Sequence, residues 1–240
     1  MISIIIPVLN ESLHIEETLT HLEKNLTNKI PTEIIIIDGG SSDDTIDIIN
    51  NYTSKSILNI MLQSTDKGRA KQMNYGASLA KYNTLYFLHA DGKPPVNFDQ
   101  LIISKINQNK LAGCFRMKFD WNHWWLKLAG WLTKFNHKYC RGGDQSLFID
   151  KQLFYSIGKY NEDYIIYEDN ILISELYKRN QFTVIKEPII TSARLYKEIG
   201  LWRLQYYYFI IYFKKWLGKN PNELYEFYKR KIQSIRKKSI

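Results

Sequence analysis

Short apolar runs alternate with segments of helical period along most of the chain. The first run is Ile2 to Leu9, and a helix is predicted after it because apolar residues recur there at helical spacing, namely at Ile15, Leu19, Leu22 and Leu26. Glu33 to Asp38, with four consecutive isoleucines, predicts a buried strand that ends in a glycine turn. This alternation is typical of an α/β domain with a mainly parallel sheet flanked by helices.

The same pattern predicts the remaining elements as far as about residue 195. The predicted strands are "ILNIMLQS", "TLYFLHAD", "AGCFRMKFD", "RGGDQSLFI" and "QFTVIKEP", and the predicted helices are "GRAKQMNYGASLAK", "FDQLIISKI" and "YEDNILISELYKR". Ser41 and Asp44 match the S-x-x-D pattern of a helix start. In "AGCFRMKFD" apolar Phe115, Met117 and Phe119 alternate with other residues, which predicts a half-buried strand.

The second half of the chain is richer in aromatic residues. The stretch "WNHWWLKLAGWLTKF" places six large side chains on one helical face: Trp121, Trp124, Trp125, Leu128, Leu132 and Phe135. Packing in the core is the favoured interpretation, since large aromatics dominate cores, and contact with a membrane surface is the alternative. From Gly200 the chain is basic and aromatic, with a helix through Trp216, a break at Gly218 and Pro221, and a second helix ending in "KRKIQSIRKKS".

These patterns divide the chain into two parts. Residues 1–198 are predicted to form the α/β domain, with halves 1–95 and 96–198, and residues 199–240 a basic, aromatic helical extension. The same interleaving of aromatic and basic residues in the extension leaves two interpretations open, a helical cap with aromatics in the core or a surface that binds membrane or polyanions.

Composition restricts the partners and the compartment. The 240 residues carry a formal charge of +9, which favours an anionic partner: nucleic acid, a negative membrane surface or a phosphate-bearing substrate. Two cysteines without a CxxC pair indicate a reducing compartment and no structural zinc. Met1 runs directly into a strand-like segment, and the apolar run Tyr206 to Phe213 is too short to cross a bilayer. We therefore expect a cytoplasmic protein, with peripheral contact to the inner membrane face as a further expectation.

Polar residues lie where predicted parallel strands end. Asn10, Asp38 and Asp91 follow three different strands, and such strand ends meet along one rim of the sheet, where ligands bind. Asp91 follows the apolar run "LYFL" and precedes Gly92, so it is either a turn aspartate or a metal ligand. Asp38 has the same two interpretations, turn residue or ligand contact.

A basic helix start follows the third strand. Gly68 and Arg69 begin a helix after the turn "STDK", and a helix N-terminus with an arginine suits phosphate oxygens. An exposed basic first turn is the alternative.

Two acidic pairs precede the helix "NILISELYKR". Glu162-Asp163 lies in a polar turn, whereas Glu168-Asp169 is flanked by apolar residues, where a carboxylate is desolvated and can act as a base. Acids at a helix start are also common for electrostatic reasons alone.

Six segments in this order resemble the family 2 glycosyltransferases of the GT-A fold. They are "SIIIPVLNE", "EIIIIDGGSSDDT", "DKGRAKQMNYGA", "LHAD", "GGDQSLF" and "YEDN". The resemblance covers roughly residues 2 to 195 and is greatest for a compact bacterial subgroup without transmembrane helices.

The resemblance implies a nucleotide-sugar donor, commonly UDP-linked, that binds across the strand rim. The residues it assigns to the nucleotide are Pro7, Asn10, Glu11, Asp38, Gly68, Arg69 and His89. The family's Asp-x-Asp metal motif reads His89-Ala90-Asp91 here, so Asp91 is the implied ligand of Mn²⁺ or Mg²⁺ and His89 replaces the residue that contacts the ribose. Asp144, Gln145 and Arg194 match further positions near the acceptor or the diphosphate.

The implied reaction is transfer of a hexosyl group with inversion. Asp169 is the implied general base, which takes the proton from an acceptor hydroxyl, and Glu168 orients or replaces it. The acceptor is a glycan, a lipid-linked molecule or a small molecule, and no nucleic acid is expected as a partner.

Two other functions fit parts of the pattern. A nucleotidyltransferase can use a similar sheet with a metal aspartate, but it usually has a G-x-G-T-R-type loop after its first strand, where this chain has "PVLNES". A non-catalytic module that binds a membrane surface or a polyanion would use the basic, aromatic C-terminal part.

Overall fold

The computed structural model describes residues 1–236, so the last four residues of the predicted extension lie outside the described part. The strands are β1 (Ile2–Val8), β2 (Thr32–Asp38), β3 (Ile60–Ser64), β4 (Thr84–Phe87), β5 (Ala112–Phe119), β6 (Leu147–Asp150) and β7 (Thr183–Thr191). The helices are α1 (Ile15–Asn25), α2 (Thr45–Thr53), α3 (Arg69–Leu79), α4 (Phe98–Asn107), α5 (Trp124–Leu132), α6 (Lys151–Ser156), α7 (Glu168–Lys178), α8 (Arg194–Ile199), α9 (Leu201–Trp216), α10 (Pro221–Tyr228) and α11 (Ser234–Arg236). Short 3-10 turns cover Lys138–Cys140 and Gly143–Gln145, and a π-helical turn covers Lys229–Gln233.

The strands form one sheet of order β3-β2-β1-β4-β6-β5-β7. The first four are mutually parallel, β6 is antiparallel to both of its neighbours, and β7 is parallel to β5. The prediction of a mainly parallel α/β sheet is therefore confirmed. The carboxyl ends of β1, β2 and β4 lie at the same rim, as the strand-end argument requires.

Helices cover both faces of this sheet. On one face α1, α2 and α4 pack against side chains such as Ile4 and Ile36. On the other face α3, α6 and α7 pack against side chains such as Ile5 and Ile37. Because β1 and β2 are buried on both faces, an almost continuous run of isoleucine suits them better than an alternating pattern.

The stretch from Arg141 to Ile149 is only partly a strand. Residues 143–145 form a 3-10 turn, Ser146 has φ 59°, and the strand begins at Leu147. The prediction of a strand from Arg141 is wrong because the Arg141 and Gln145 side chains bond to each other and to nearby backbone carbonyls, which fixes a loop.

Two local predictions also need correction. The N-cap of α2 is Asp44 without a side-chain cap, and Ser41 instead accepts a hydrogen bond from the Asn10 backbone. The strand β5 is buried on both faces at its start, where Cys114 is as buried as Phe115, because α7 covers the face that Cys114 points to. Its half-buried pattern is limited to the end of the strand.

The C-terminal helices follow the prediction. Helix α9 ends at Trp216, and α10 begins at Pro221 behind a capping box formed by Asn220 and Glu223. A separate apolar cluster, which includes Leu204, Ile211 and Ile232, joins these helices to one another and to the start of α7. The division of the chain at residues 198 and 199 stays a prediction.

The aromatic stripe of α5 is largely exposed. Trp121 and Trp125 pack partly against a small cluster around Leu126. Trp124, however, is 61% exposed, and the outer positions Leu128, Leu132 and Phe135 are also exposed. The core interpretation is therefore wrong for most of the stripe.

The aromatic residues of α9 are divided between the two faces of the helix. Tyr207 is buried, whereas Trp202, Tyr206 and Trp216 are exposed. No helix within residues 1–236 is both long and apolar enough to cross a bilayer.

Candidate active site

A cavity of about 710 Å³ lies beyond the carboxyl end of β1. Its floor comes from the first half of the chain and includes Pro7, Glu11, Gly68 and Arg69. Its far wall comes from the second half and includes Asp144, Gln145 and Asp169, and its roof from α9 and α10 includes Tyr208, Tyr212, Tyr225 and Tyr228. Residues far apart in the sequence therefore meet in one space of a size that holds a small ligand.

Arg69 contacts both carboxylates of the acidic pair. Its Nε donates to Glu168 Oε1, and its Nη2 donates to Asp169 Oδ2 at 2.9 Å. Its Nη1 lies 3.4 Å from Nε2 of His89. The arginine predicted for phosphate binding and the carboxylates predicted for proton transfer thus form one ionic cluster.

The two carboxylates are buried, as the comparison of the acidic pairs predicted. Glu168 is 0% exposed and Asp169 is 6% exposed, whereas Glu162 and Asp163 are both exposed. Burial raises the pKa of Asp169 and of Glu168, and the charge of Arg69 opposes this increase. A carboxylate whose pKa is raised toward neutrality is a better proton acceptor at physiological pH than an ordinary surface acid.

Gly143 lies directly against the carboxylate of Asp169. A Cβ atom at position 143 would be 2.0 Å from Asp169 Oδ2. Only glycine leaves this oxygen where it is, so the turn at 143–145 and the acidic pair depend on each other sterically.

His89 and Asp144 lie next to this ionic cluster. His89 Nδ1 is 3.6 Å from Asp144 Oδ1. Burial and the nearby charge of Arg69 lower the pKa of His89 to about 4, so its ring is neutral at neutral pH. Asp144 faces the cavity, and partial desolvation together with the negative charge of Asp91 raises the pKa of Asp144 to about 6.

The acidic groups near Asp91 fit a divalent cation that is shared with a ligand. Asp91 is half-buried and close enough to Asp144 for its charge to raise the pKa of that residue. Within residues 1–236 no three His, Cys, Asp or Glu side chains form a set that could hold a metal ion alone. Mg²⁺ and Mn²⁺ often use only one or two carboxylates, with substrate phosphates as further ligands, and this donor set fits such a site.

The ends of β1 and β2 are tied together at the rim. Asn10, at φ 55°, accepts a hydrogen bond from the Ser42 backbone at 2.8 Å through its Oδ1. Asp38 is 1% exposed, and its carboxylate accepts hydrogen bonds from the backbone of Gly40 and Ser41. Asp38 therefore acts as a turn residue in this structure. Its contact with a nucleotide stays a prediction.

The remaining predicted residues have mixed surroundings. Arg194 pairs with Glu11 at 3.7 Å and with Glu198 at 3.9 Å, near the cavity wall. Gln145 is buried, with its Oε1 accepting from Arg141 at 2.5 Å and its Nε2 donating to the Cys140 carbonyl. Gln145 thus maintains the loop.

Three residues of the site were not predicted from the sequence. They are Gly143, Arg141 and Gln72. Gln72 lies on α3 and donates to the carbonyls of Val8 and Ile37 at 2.8 Å, which joins the helix to the ends of two strands. A polar residue between apolar positions on a helix that faces a sheet was the available signal, whereas nothing local marks the contact of Gly143 with residue 169.

The family model of glycosyl transferase family 2 matches residues 3–161, which is more than half of the chain. The chain belongs to glycosyl transferase family 2. The match includes the strand rim, the start of α3 and Gly143, and it ends before the Glu168-Asp169 pair and the cavity roof.

Curated relatives of the family 2 chain match it over a shorter region. It is 35% identical over 92 residues to a PGL/p-HBAD biosynthesis glycosyltransferase of Mycobacterium tuberculosis, which is 38% of this chain and 35% of that protein. It is 34% identical over 93 residues to an uncharacterized glycosyltransferase of Haemophilus influenzae, which is 38% of this chain and 36% of that protein. The chain thus spans about a third of the length of these relatives.

Solved structures share the fold of the family 2 chain at low sequence identity. The mannosyltransferase PcManGT of Pyrobaculum calidifontis, in complex with GDP-Man and Mn²⁺, has a TM-score of 0.68 at 17% identity, covering 97% of this chain and 68% of that chain. TarS 1-349 of S. aureus, in complex with UDP-GlcNAc, has a TM-score of 0.65 at 18% identity, covering 80% and 58%. The prediction of a GT-A fold is confirmed.

Proposed function

We propose that this chain transfers a sugar from a nucleotide-sugar donor to an acceptor hydroxyl with inversion at the anomeric carbon. The observation that carries the proposal is the position of Asp169: a buried carboxylate, at the cavity wall, beside a helix start with an arginine. Membership of family 2 supports the same reaction class and removes the support for a nucleotidyltransferase. A cytoplasmic location is part of the proposal, since the sequence has two cysteines and no CxxC pair.

The floor of the cavity is the proposed donor site. Pro7 and Glu11 line this floor, Asn10 and Asp38 lie outside the lining at the strand ends assigned to the nucleoside, and Gly68 and Arg69 present a helix N-terminus to the diphosphate. Asp91 is the proposed protein ligand of the cation, with Asp144 as its neighbour. A bound Mn²⁺ or Mg²⁺ would neutralise charge that develops on the departing diphosphate. A UDP-linked donor is the first to test, since structural neighbours include proteins solved with UDP or UDP-GlcNAc.

Asp169 is the proposed general base. In the described structure its Oδ2 accepts from Arg69, which neutralises its charge. A diphosphate that competes for the same guanidinium would leave Asp169 free to accept the proton of an acceptor hydroxyl. Glu168 is fully buried beside Asp169 and accepts a hydrogen bond from Arg69, which holds Arg69 in position next to Asp169. General-base catalysis of this kind contributes ~10² to 10⁴ in rate.

Thermal unfolding with UDP and MnCl₂ tests the donor and metal sites. We expect UDP with Mn²⁺ to raise the melting temperature of the wild type and to lose most of this effect in Asp91→Ala. Asp47→Ala, a change of an exposed aspartate on α2, is the matched control and keeps the effect. Full stabilisation of Asp91→Ala would overturn the metal assignment, and equal stabilisation by any polyanion would favour a binding module.

A screen of nucleotide sugars for hydrolysis or transfer tests the catalytic assignment. We expect Asp169→Asn to lose at least about 100-fold in kcat while it still folds and is still stabilised by UDP in thermal unfolding. Full activity of this variant with any donor would show that the base lies elsewhere.

A further inference from the structure

Helix α9 carries a second apolar stripe on its solvent side. Its buried side faces the C-terminal cluster through Leu204 and Ile211. On the other side five aromatic residues recur at spacings of four and three, and all are exposed: Trp202, Tyr206, Phe209, Phe213 and Trp216. A helix of a soluble protein usually has charged residues on that side, so this stripe calls for a partner.

Helix α5 and the residues after it carry a similar exposed stripe. Its members, at the same spacings, are Trp124, Leu128, Trp131 and Phe135. The two stripes meet where the ring centroids of Trp124 and Trp202 lie 5.9 Å apart. We call this continuous surface of nine side chains the aromatic face.

The two segments that carry the aromatic face contain charged residues of one sign only. The sequence has no aspartate or glutamate from Trp121 to Gly143 and none from Ile199 to Asn222. The cations in these two segments are Lys127, Lys134, Lys138, Arg141, Arg203, Lys214, Lys215 and Lys219. Among these, Lys134 lies over the Trp131 ring at 3.8 Å, so a cation is held directly at the edge of the apolar stripe.

We infer that the aromatic face docks the protein on the surface of an anionic lipid bilayer. Tryptophan and tyrosine are favoured at the level of the lipid headgroups, where an apolar ring and a polar edge are both satisfied. Phe209, Phe213 and Leu128 would enter the acyl boundary, and the lysines would contact anionic headgroups. The helices would lie in the plane of the interface.

The charge pattern argues against a second copy of the chain as the occupant of this face. Two copies packed face to face would bring lysines of α5 and α9 against lysines, without an acidic residue from either segment to compensate them. Such a contact costs free energy through like-charge repulsion and desolvation, whereas an anionic bilayer complements the charge.

The ring contacts argue against single-stranded nucleic acid. Phe209 stacks on Phe213 with an interplanar angle of 11°, and Phe213 stacks on Trp216 at 30°. Bases stack on free aromatic faces, and these contacts between neighbouring rings leave fewer free faces for bases.

The same helices line the cavity. Leu128 of α5 belongs to the aromatic face and also lines the cavity. Tyr212 of α9 lines the same cavity. If the proposed transfer is correct, docking would bring the part of the cavity that α5 and α9 line to the membrane. The docking itself does not depend on the proposed function.

Flotation of the full chain with lipid vesicles tests the inference. We expect the wild type to float with vesicles of phosphatidylcholine and phosphatidylglycerol at low salt, to float less at high salt, and to float poorly with phosphatidylcholine alone. Failure to float with the anionic vesicles at low salt would overturn it.

Paired variants separate the aromatic face from the rest of the surface. Phe213→Ser with Trp216→Ser should lower vesicle partition at least about tenfold, since two buried rings contribute more than a tenfold change. Ile57→Ser with Tyr155→Ser, at exposed apolar positions elsewhere, is the control and should partition as the wild type does. Equal partition of the two double variants would overturn the inference.

Charge variants and two further measurements complete the test. Lys127→Glu with Lys134→Glu should lower partition, whereas Lys29→Glu with Lys55→Glu, at exposed positions elsewhere, should lower it less. The UDP response in thermal unfolding should be unchanged in every variant, so a failed docking result is distinct from a failed donor site. A doubled mass in light scattering that Trp216→Ser abolishes would assign the face to a second copy of the chain and overturn the inference. Release from vesicles by poly(U), with no effect of the aromatic variants, would show that the cations alone bind polyanions and would also overturn it.

Discussion

At position 143 the structure leaves room for a hydrogen atom and no more. Because a methyl group there would meet the Asp169 carboxylate at 2.0 Å, Gly143→Ala must push Asp169 away from Arg69. We expect kcat for sugar transfer to fall about 100-fold, the usual effect of a displaced catalytic group.

The neighbouring residue provides a matched control for this prediction. Nothing lies within 4 Å of a Cβ atom at Gly142, and its backbone is extended. Gly142→Ala should therefore keep its activity. Equal loss of activity in both variants would mean that the loop, and not the contact with Asp169, determines the rate.

Removal of the arginine predicts a pH-dependent loss of stability. In Arg69→Met the buried carboxylates of Glu168 and Asp169 lose their cation, so their pKa values rise further above the ordinary values. Groups with raised pKa contribute stability below their ordinary pKa, near about 4, and this contribution is lost as pH rises. We expect a small deficit in unfolding free energy near pH 4 and a larger one, about 1 to 3 kcal/mol, at neutral pH, measured by urea unfolding; the upper value of a fully buried pair is not reached because Arg69 is partly exposed.

The surface pair of Arg179 and Glu175 provides the comparison. Their atoms lie 3.0 Å apart, but both side chains are partly exposed. Arg179→Met should change the unfolding free energy much less than Arg69→Met does, at any pH. A deficit of Arg69→Met that does not change with pH would contradict the assigned role of the two carboxylates.

The two cysteines should differ in reactivity. Burial raises the pKa of the Cys114 thiol to about 11, while Cys140 is partly exposed. Since the thiolate is the nucleophile, iodoacetamide at about pH 8 should label Cys140 in the folded protein and both cysteines in urea, as read by mass spectrometry. The pKa of Cys114 in the folded protein is higher than its ordinary value of 9.0, so the unfolding free energy should fall as pH rises above 9.0.

The sequence predicted which residues belong to the site, but it did not predict which of their side chains contact each other. The resemblance of motifs selected Arg69, Glu168 and Asp169, and the structure brings them together. That Arg69 bonds both carboxylates depends on the relative positions of α3 and α7, which no local pattern contains. The same holds for Gly143.

At the scale of elements, the side chain of Gln72 joins α3 to the rim of the sheet by hydrogen bonds. Gln72 is 3% exposed and donates to the backbone carbonyls that end β1 and β2. Gln72→Leu leaves buried acceptors with fewer partners, so we expect it to lower the unfolding free energy by about 1 to 3 kcal/mol in urea. Gln63→Leu, at an exposed position of β3, should change it by less than about 0.5 kcal/mol.

Hydrophobic periodicity predicted elements well where burial is simple. The isoleucine runs of β1 and β2 and the regular face of α1 gave bounds within a few residues of those observed. The loop from Arg141 to Ser146 was missed because its conformation depends on a buried arginine that bonds to carbonyls of Thr133 and Phe135. Exposed aromatics on α5 were assigned to the core because periodicity identifies a face but not what covers it.

For the whole molecule, the order of motifs was more informative than any single motif. Alternating strands and helices predicted the α/β class, and six weak segments at compatible spacing indicated the GT-A fold that the comparisons confirm. Net charge predicted an anionic partner without its position, because the sum of +9 contains no information on where the lysines lie in space.

Two separate segments of the sequence line the cavity. Its floor lies inside the segment shared with the family, whereas its tyrosine roof lies beyond residue 161, where the family match ends. The floor and the roof thus belong to separate segments of the chain. Hybrid chains that keep the N-terminal portion of one homologue and take the C-terminal helices of another should inherit donor preference from the first parent and acceptor choice from the second.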